Sequence, residues 1–506
     1  MLKCQPEVFA RDENQRLLLR GDSLQNLPMF VIHHKNLSVL SATIGLISAV
    51  SLGAEMPAEN IRIQLDTRSV VSRISPDFIG FGYETSAVAQ TNYFGPDNAT
   101  LIQLYRNLGR RGLIRIGGNI SDHTRFITDG VAAVHPEEQV SIINQASLSN
   151  LAGFVRATGW KVMWGLNLGT GSKEAAVQES LAVQQALGDR LQSFEIGNEV
   201  DLRSRYDGKF HDYAGYYSNY LAYKMAIRAA LPRAVFSGPD VAVNLSWFTN
   251  FAASEAADLK LLTHHYYRTG ADNPAATLEN LLARDESWDR RLERLQRNSR
   301  DHGVGYRINE VNSFSGGGKP GVSDTFAAAL WALDYMFDLA THGCSGINLE
   351  TDINQHAWFS HYSPIIHNAT GRCRARPLYY GMLAFSLAGH GDLLKLELTK
   401  GGEGAFNLSA YATRNDQGFP WITVVNKELS RAAVVEVATP EMFSQASAFW
   451  LKAPSVRSKD QVTFAGADVS PDGNWTPGTP EILAIKDHAV RLLVPPASAV
   501  LLRLQP

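Results

Sequence analysis

Cysteine is nearly missing: the 506 residues contain three, Cys4, Cys344 and Cys373. So few thiols cannot staple a chain of this length, which excludes a disulfide scaffold. An excess of one charge is missing as well. Lys and Arg number 47 against 50 Asp and Glu, a net charge of −3. The basic residues are dispersed, so neither nucleic acid nor an anionic membrane surface is an expected partner. Glycine and proline, 41 and 21, are too few and too aperiodic for a collagen-like or low-complexity chain. What is present is a globular composition, 45% hydrophobic and 19% charged, in a chain long enough for a barrel plus a smaller module.

Leu37–Leu52 is an uncharged, mostly apolar run, preceded by His33, His34 and Lys35 and followed by Gly53 and Ala54. It falls short of the ~20 residues that span a bilayer. Basic, apolar and small-residue segments in that order read as a secretory signal. Residues 1–54 are therefore set apart as leader and signal peptide, with Met29 an alternative start. The mature protein is expected to be secreted or periplasmic, without a membrane anchor, and its Cys344 and Cys373 are expected to be unpaired thiols.

From residue 78 short apolar runs alternate with longer amphipathic stretches. The strand-like runs are Phe78–Tyr83, Leu113–Ile116, Trp160–Leu166, Leu191–Ile196, Ala234–Ser237, Lys260–His265, Tyr306–Ile308 and Gly346–Leu349. Each is followed by a helical pattern. Eight strand–helix units predict an α/β protein with a closed (β/α)8 TIM barrel over residues 76–392. An open doubly wound sheet would place a phosphate-binding glycine turn after its first strand; here Glu84 follows Phe78-Ile-Gly-Phe-Gly-Tyr83 instead. Beyond Gly389 short alternating runs are separated by turn residues, which predicts an antiparallel β-sandwich over 393–506. Residues 60–75 alternate too (Ile61, Ile63, Leu65) and are expected to add N-terminal strands to that sandwich.

Barrel enzymes carry their chemistry at the C-terminal ends of the strands. Polar residues at those positions are Glu84, Asn119, Asn198-Glu199, His264-His265-Tyr266-Tyr267 and Asn309-Glu310. The two Asn-Glu dipeptides are the only ones in the chain, and both fall at a strand end. Two carboxylates facing each other across a pocket are what glycoside hydrolysis requires, one protonated and one ionised. Structural roles for each Glu, a salt bridge or a helix cap, are the alternative. Aromatic residues near strand ends, Trp164, Tyr266, Trp358 and Tyr362, are candidates to stack on a sugar or simply to pack. No cofactor or metal is expected. Gly169-Thr-Gly-Ser-Lys173 lacks the Gly-Lys-Ser/Thr order of a phosphate loop, and His264-His265 has no further His or Cys at ligand spacing.

Phe194-Glu-Ile-Gly-Asn-Glu199 resembles the acid/base strand of the large retaining barrel clan, in which the proton donor ends strand four and the nucleophile strand seven. Asn309-Glu-Val-Asn-Ser-Phe-Ser-Gly-Gly-Gly318, followed by Ser323-Asp-Thr-Phe-Ala-Ala328, resembles glycoside hydrolase family 79, the heparanase and β-glucuronidase family. Thr263-His-His-Tyr-Tyr267 and Ile114-Arg-Ile-Gly-Gly118 fit the same family. The resemblance implies Glu199 as acid/base, Glu310 as nucleophile, Asn198 on the sugar 2-hydroxyl, Glu84 on ring hydroxyls, and Gly316 and Gly317 on a uronate carboxylate. Lys319 departs from the pattern of the mammalian enzyme and could add a contact to that carboxylate. The implied substrate is a glycan or glycoconjugate containing glucuronic acid. The balance of charge stays acidic once 1–54 are removed, which suits an exo-acting enzyme better than an endo-cleaver of sulfated chains. An endo-β-glucuronidase, a neutral-sugar β-glycosidase and a non-catalytic carbohydrate-binding protein are the alternatives.

Overall fold

The computed structural model describes residues 58–90, 93–135, 140–206, 208–353, 360–367, 372–401 and 405–506. The signal segment and Trp358 lie outside them. Eight parallel strands close a barrel in chain order: Gly80–Glu84, Leu113–Gly117, Lys161–Leu166, Leu191–Ile196, Phe236–Val241, Leu259–Tyr267, Tyr306–Asn312 and Ile347–Glu350. The last pairs with the first through Leu349 and Phe81. Helices from Ala99–Asn107 to Pro377–Ala388 form the outer layer. The helix Gln145–Thr158 shows how local chemistry fixes their ends. Asn144 and Ser147 form a reciprocal capping box at its start, and Gly159 closes it in the left-handed conformation at φ 88°.

The expected barrel and sandwich are both present, with two departures. The fifth strand starts and ends later than the sequence pattern indicated, because the chain stays extended through Gly238 and Pro239 to Val241. A three-stranded sheet of Thr124–Ile127, Ala133–His135 and Val140–Asn144 follows the second barrel strand, where no strand was expected. Its strands are three to five residues long, too short to register a periodicity.

Ala58–Ile74 runs antiparallel to Gly391–Lys400 and parallel to Ala432–Ala438, inside a ten-stranded and otherwise antiparallel sheet. Its inward residues Ile61 and Ile63 share one core with Val424, Val437, Val490 and Leu502 from strands all along that sheet, so the sheet folds over itself as a sandwich. A second, larger core runs from the barrel helices into the sandwich and includes Trp421 and Leu501. Phe337 and Tyr411 stack across that junction, with ring centroids 5.0 Å apart. Cys344 and Cys373 are buried free thiols. Among the described residues no helix is long and apolar enough to cross a membrane.

Candidate active site

Six carboxyl groups converge at the C-terminal mouth of the barrel: Glu84, Glu195, Glu199, Asp240, Glu310 and Glu350, all buried or nearly so. Burying so much like charge is unfavourable unless it is paired or neutralised. Arg115, on the second strand and fully buried, does much of the pairing. Its guanidinium donates to Glu310 Oε2 at 2.7 Å, Asp240 Oδ2 at 2.5 Å, Glu195 Oε2 at 3.3 Å and Asn198 Oδ1 at 2.6 Å. His265 is the second cation. Its Nδ1 lies 3.2 Å from Glu199 Oε1 and 3.6 Å from Glu310 Oε2, and its Nε2 lies 3.3 Å from Asp240 Oδ1. Burial works against the imidazolium, but Glu310 and Asp240 more than compensate and hold its pKa well above the usual histidine value.

The carboxyl groups divide accordingly. Burial raises the Glu310 pKa, yet His265 and Arg115 overcome it and hold the carboxyl below its ordinary value. Asp240 is lowered in the same way against its burial, by Arg115 and His265. Glu84 and Glu195 are each pushed up to about 8, chiefly by burial. The cations thus favour the ionised forms of Glu310 and Asp240, while burial favours the protonated forms of Glu84 and Glu195.

Glu199 ends the fourth strand with φ 48°, in the left-handed region that a residue bearing a Cβ enters at a cost of roughly 1–3 kcal/mol. Arg205 pairs with its Oε2 at 2.7 Å. Glu310 receives the Tyr267 hydroxyl on Oε1 at 3.0 Å. One oxygen of Glu199, one of Glu310 and a His265 ring nitrogen all lie within 4.8 Å of one another. That spacing would also admit a metal ion, but both carboxylates are already matched by arginines. Retaining glycosidases hold their carboxyl groups roughly 5–5.5 Å apart, and inverting ones roughly 6.5–9.5 Å. The approach of one oxygen from each carboxyl brings Glu199 and Glu310 to the same end of the cavity.

These groups line a cavity of about 680 Å³, within the roughly 300–1,000 Å³ usual for small-molecule sites. Glu84 accepts from the Asn119 and Ile120 N–H groups at 3.1 and 2.7 Å, which fixes its carboxyl at the rim. Gly316 and Gly317 line the wall, and Gly316–Gly318 all have φ between 76° and 83°, a run that only glycine adopts readily. The Gly317 carbonyl accepts from the His361 and Tyr362 N–H groups, so Tyr362 is clamped beside the glycine loop. Its ring stacks on Tyr267 with centroids 6.2 Å apart.

Other expected site residues are placed differently. Side chains alternate along a strand, and in the sixth strand Thr263, His265 and Tyr267 face inward. Tyr266 borders the cavity, but its ring turns outward onto Trp288 at 4.0 Å and its hydroxyl donates to Asp285. The phenol that reaches the Glu310 carboxylate is that of Tyr267. Lys319 does not line the cavity; its ammonium donates to the Ala271 carbonyl at 3.1 Å. Asn198 does not line it either, its amide being taken by Arg115 and by Asn119 Oδ1 at 3.0 Å. Trp164 is buried, with its indole N–H on Glu179. Arg115, Glu195, Asp240 and Glu350 carry no assigned role in the sequence reading, and His265 and Tyr267 enter it only as polar residues at a strand end. Charged residues inside apolar strands, as in Ile114-Arg-Ile and Phe194-Glu-Ile, were the available signal.

No family model matches the chain. A protein of Aspergillus niger named beta-glucuronidase is 26% identical over 459 residues, covering 80% of this chain and 81% of its own length. One of Neurospora crassa with the same name is 24% identical over 389 residues, 67% of this chain and 68% of its own. A Fusarium oxysporum 4-O-alpha-L-rhamnosyl-beta-D-glucuronidase, solved as its Rha-GlcA complex, superposes with a TM-score of 0.73 at 17% identity, over 87% of this chain and 99% of that one. A GH51 alpha-L-arabinofuranosidase of Thermotoga petrophila does so at 0.67 and 16%, over 88% and 100%. Barrel, sandwich, paired carboxylates and relatives together make the chain a glycoside hydrolase.

Proposed function

We propose that this glycoside hydrolase is a retaining, exo-acting β-glucuronidase of the family 79 type, releasing glucuronic acid from glycans or glycoconjugates. The close approach of Glu199 and Glu310, within 4.8 Å across the cavity, is the observation that carries the reading. Glu310, kept ionised by Arg115 and His265, attacks the anomeric carbon while Glu199 protonates the departing oxygen. A covalent glycosyl-enzyme results. Glu199 then takes a proton from water, the water oxygen attacks the anomeric carbon, and Glu310 leaves. Glu84 holds ring hydroxyls, and Gly316, Gly317 and Tyr362 receive the uronate carboxylate. Asn198 reaches a 2-hydroxyl only if its amide leaves Asn119; otherwise it acts by holding Arg115 on Glu310. Lys319 braces the glycine loop against Ala271.

Exo action is favoured by the walls. Among the described lining residues Arg205 is the only Lys or Arg, whereas a sulfated chain calls for several. The names of the two fungal relatives agree with a glucuronide substrate. We further assign residues 1–54 to an export leader, 60–75 to the sandwich, 76–392 to the catalytic barrel and 393–506 to the rest of the sandwich. The test is a panel of aryl β-glucuronide, β-glucoside and β-xyloside, with heparan sulfate sized in parallel. Hydrolysis confined to the glucuronide, with the polymer intact, is expected. Rapid polymer fragmentation with little aryl release would instead establish an endo-enzyme.

A further inference from the structure

The eighth barrel strand ends in Glu350, which double displacement does not use. Asn348 and Glu350 share the inward face of that strand. Asn348 is tied to Arg307, while Glu350 lies over Gly82 of the first strand, where a methyl group would sit 2.5 Å from Glu350 Oε2. Glycine at 82 therefore makes room for this carboxyl. Glu350 is 6% exposed and lines the cavity. Its Oε2 has no hydrogen-bond partner among the described residues. Buried polar atoms are nearly always paired, and one left open on the wall of a binding cavity is suited to a ligand that completes it.

Its position along the wall indicates which part of the ligand. The Asn312 amide donates to the Glu350 carbonyl at 2.9 Å and to the Tyr362 carbonyl at 3.2 Å. One side chain thus ties Glu350 to the segment clamped on the glycine loop, the side of the pocket assigned to the uronate. The charged groups facing Glu350 are Glu310, Glu84, Asp352 and Arg115, with the phenols of Tyr83, Tyr267 and Tyr362 around them. Burial first, then Glu310 and Glu84, hold its carboxyl well above the usual range. So placed, it keeps its proton to a higher pH than an exposed glutamate does.

On the reading that the substrate is a β-glucuronide, we propose that the free Glu350 carboxyl donates a hydrogen bond to the carboxylate of the bound sugar, making Glu350 a specificity-determining residue. A hydrogen bond to an ionised acceptor is about twice as strong as one between neutral groups, so a uronide gains what a glucoside or xyloside does not. Ionising Glu350 removes the donor and sets an anion against the uronate. Uronide binding therefore weakens as pH rises through the Glu350 pKa.

The test measures KM for an aryl β-glucuronide and the inhibition constant of free D-glucuronate from pH 5 to 9 in the parent enzyme, E350Q and E350L. E350L is expected to raise both constants about 10- to 100-fold at neutral pH, with a smaller change in kcat. E350Q keeps a donor without an ionisable proton. It should bind within a few-fold of the parent at neutral pH and lose the share of alkaline weakening due to Glu350; the share due to Glu84 persists in both. An alkaline profile identical in E350Q and parent overturns the proposal, whether or not E350L folds. So does an E350L enzyme with unchanged constants. A parent enzyme that neither cleaves the glucuronide nor binds glucuronate refutes the substrate reading itself, and this inference with it.

Discussion

Arg115 neutralises what the barrel mouth would otherwise leave as unpaired buried charge, and its loss should register in stability as well as rate. Breaking a buried ion pair by removing one partner costs about 3–5 kcal/mol, and Arg115 serves Glu195, Asp240 and Glu310 together. Arg115→Gln is expected to lose stability on that scale in urea unfolding; an unchanged midpoint would contradict the network. The same pairing sets the acid limb of activity. The Glu310 carboxyl is held below its ordinary 4.5 by His265 and Arg115 against its burial. Its ionised form should therefore persist to pH values under 4.5, and kcat/KM should fall only as pH drops through that lowered value. The groups are coupled, so the apparent constant belongs to the cluster. An acid limb centred above pH 5 would show that Arg115 and His265 do not govern Glu310. Removing the proposed nucleophile, Glu310→Ala, should cost on the order of 10⁴-fold or more in kcat. Glu199→Gln should lose roughly 10²–10⁴-fold on alkyl glucuronides while sparing leaving groups that need no proton; equal loss on both would remove Glu199 from the acid role.

The sixth strand, Leu259–Tyr267, decides which of two adjacent tyrosines is functional, and the expected phenotypes differ in kind. Tyr267→Phe removes a hydrogen bond to Glu310 and should lower kcat with little change in melting temperature. Tyr266→Phe leaves Asp285 without its phenol and should cost about 1 kcal/mol of stability while kcat holds. The reverse pattern in paired kinetics and melts would mean that the strand faces the other way. His264-His265-Tyr266-Tyr267 offers no alternation of polar and apolar residues, so the sequence carries the strand but not its phase, and points as readily to Tyr266 as to Tyr267. Glu84, Glu199 and Glu310 were legible because strand ends in a barrel fall at one mouth whatever the phase. The glycine run Gly316–Gly318 was legible because its composition demands special backbone angles. The cluster in which Arg115 and the Asn309 amide both donate to Asp240 was not, since its members come from the second, seventh and fifth strands and meet only when the barrel closes.

Across the whole molecule, the strand before the barrel and the strands after it form one sandwich, and that sandwich shares a core with the barrel helices. Ile63, fully buried between strands from both ends of the chain, belongs to the sandwich core and not to the core of the barrel. Ile63→Ala should cost roughly 2–5 kcal/mol and leave kcat per folded molecule unaltered; a selective loss of kcat would show that the sandwich tunes the site. The same architecture brings Glu199 from the fourth strand and Glu310 from the seventh to one mouth of the barrel, as the proposed double displacement requires. The stereochemistry of the first product tests that claim most directly. When an aryl β-glucuronide is hydrolysed in an NMR tube, the anomeric proton of the newly released sugar should be that of β-glucuronic acid, with the α-anomer growing in only by later mutarotation. If the α-anomer forms first, the enzyme inverts, and the assignment of Glu310 as nucleophile is wrong.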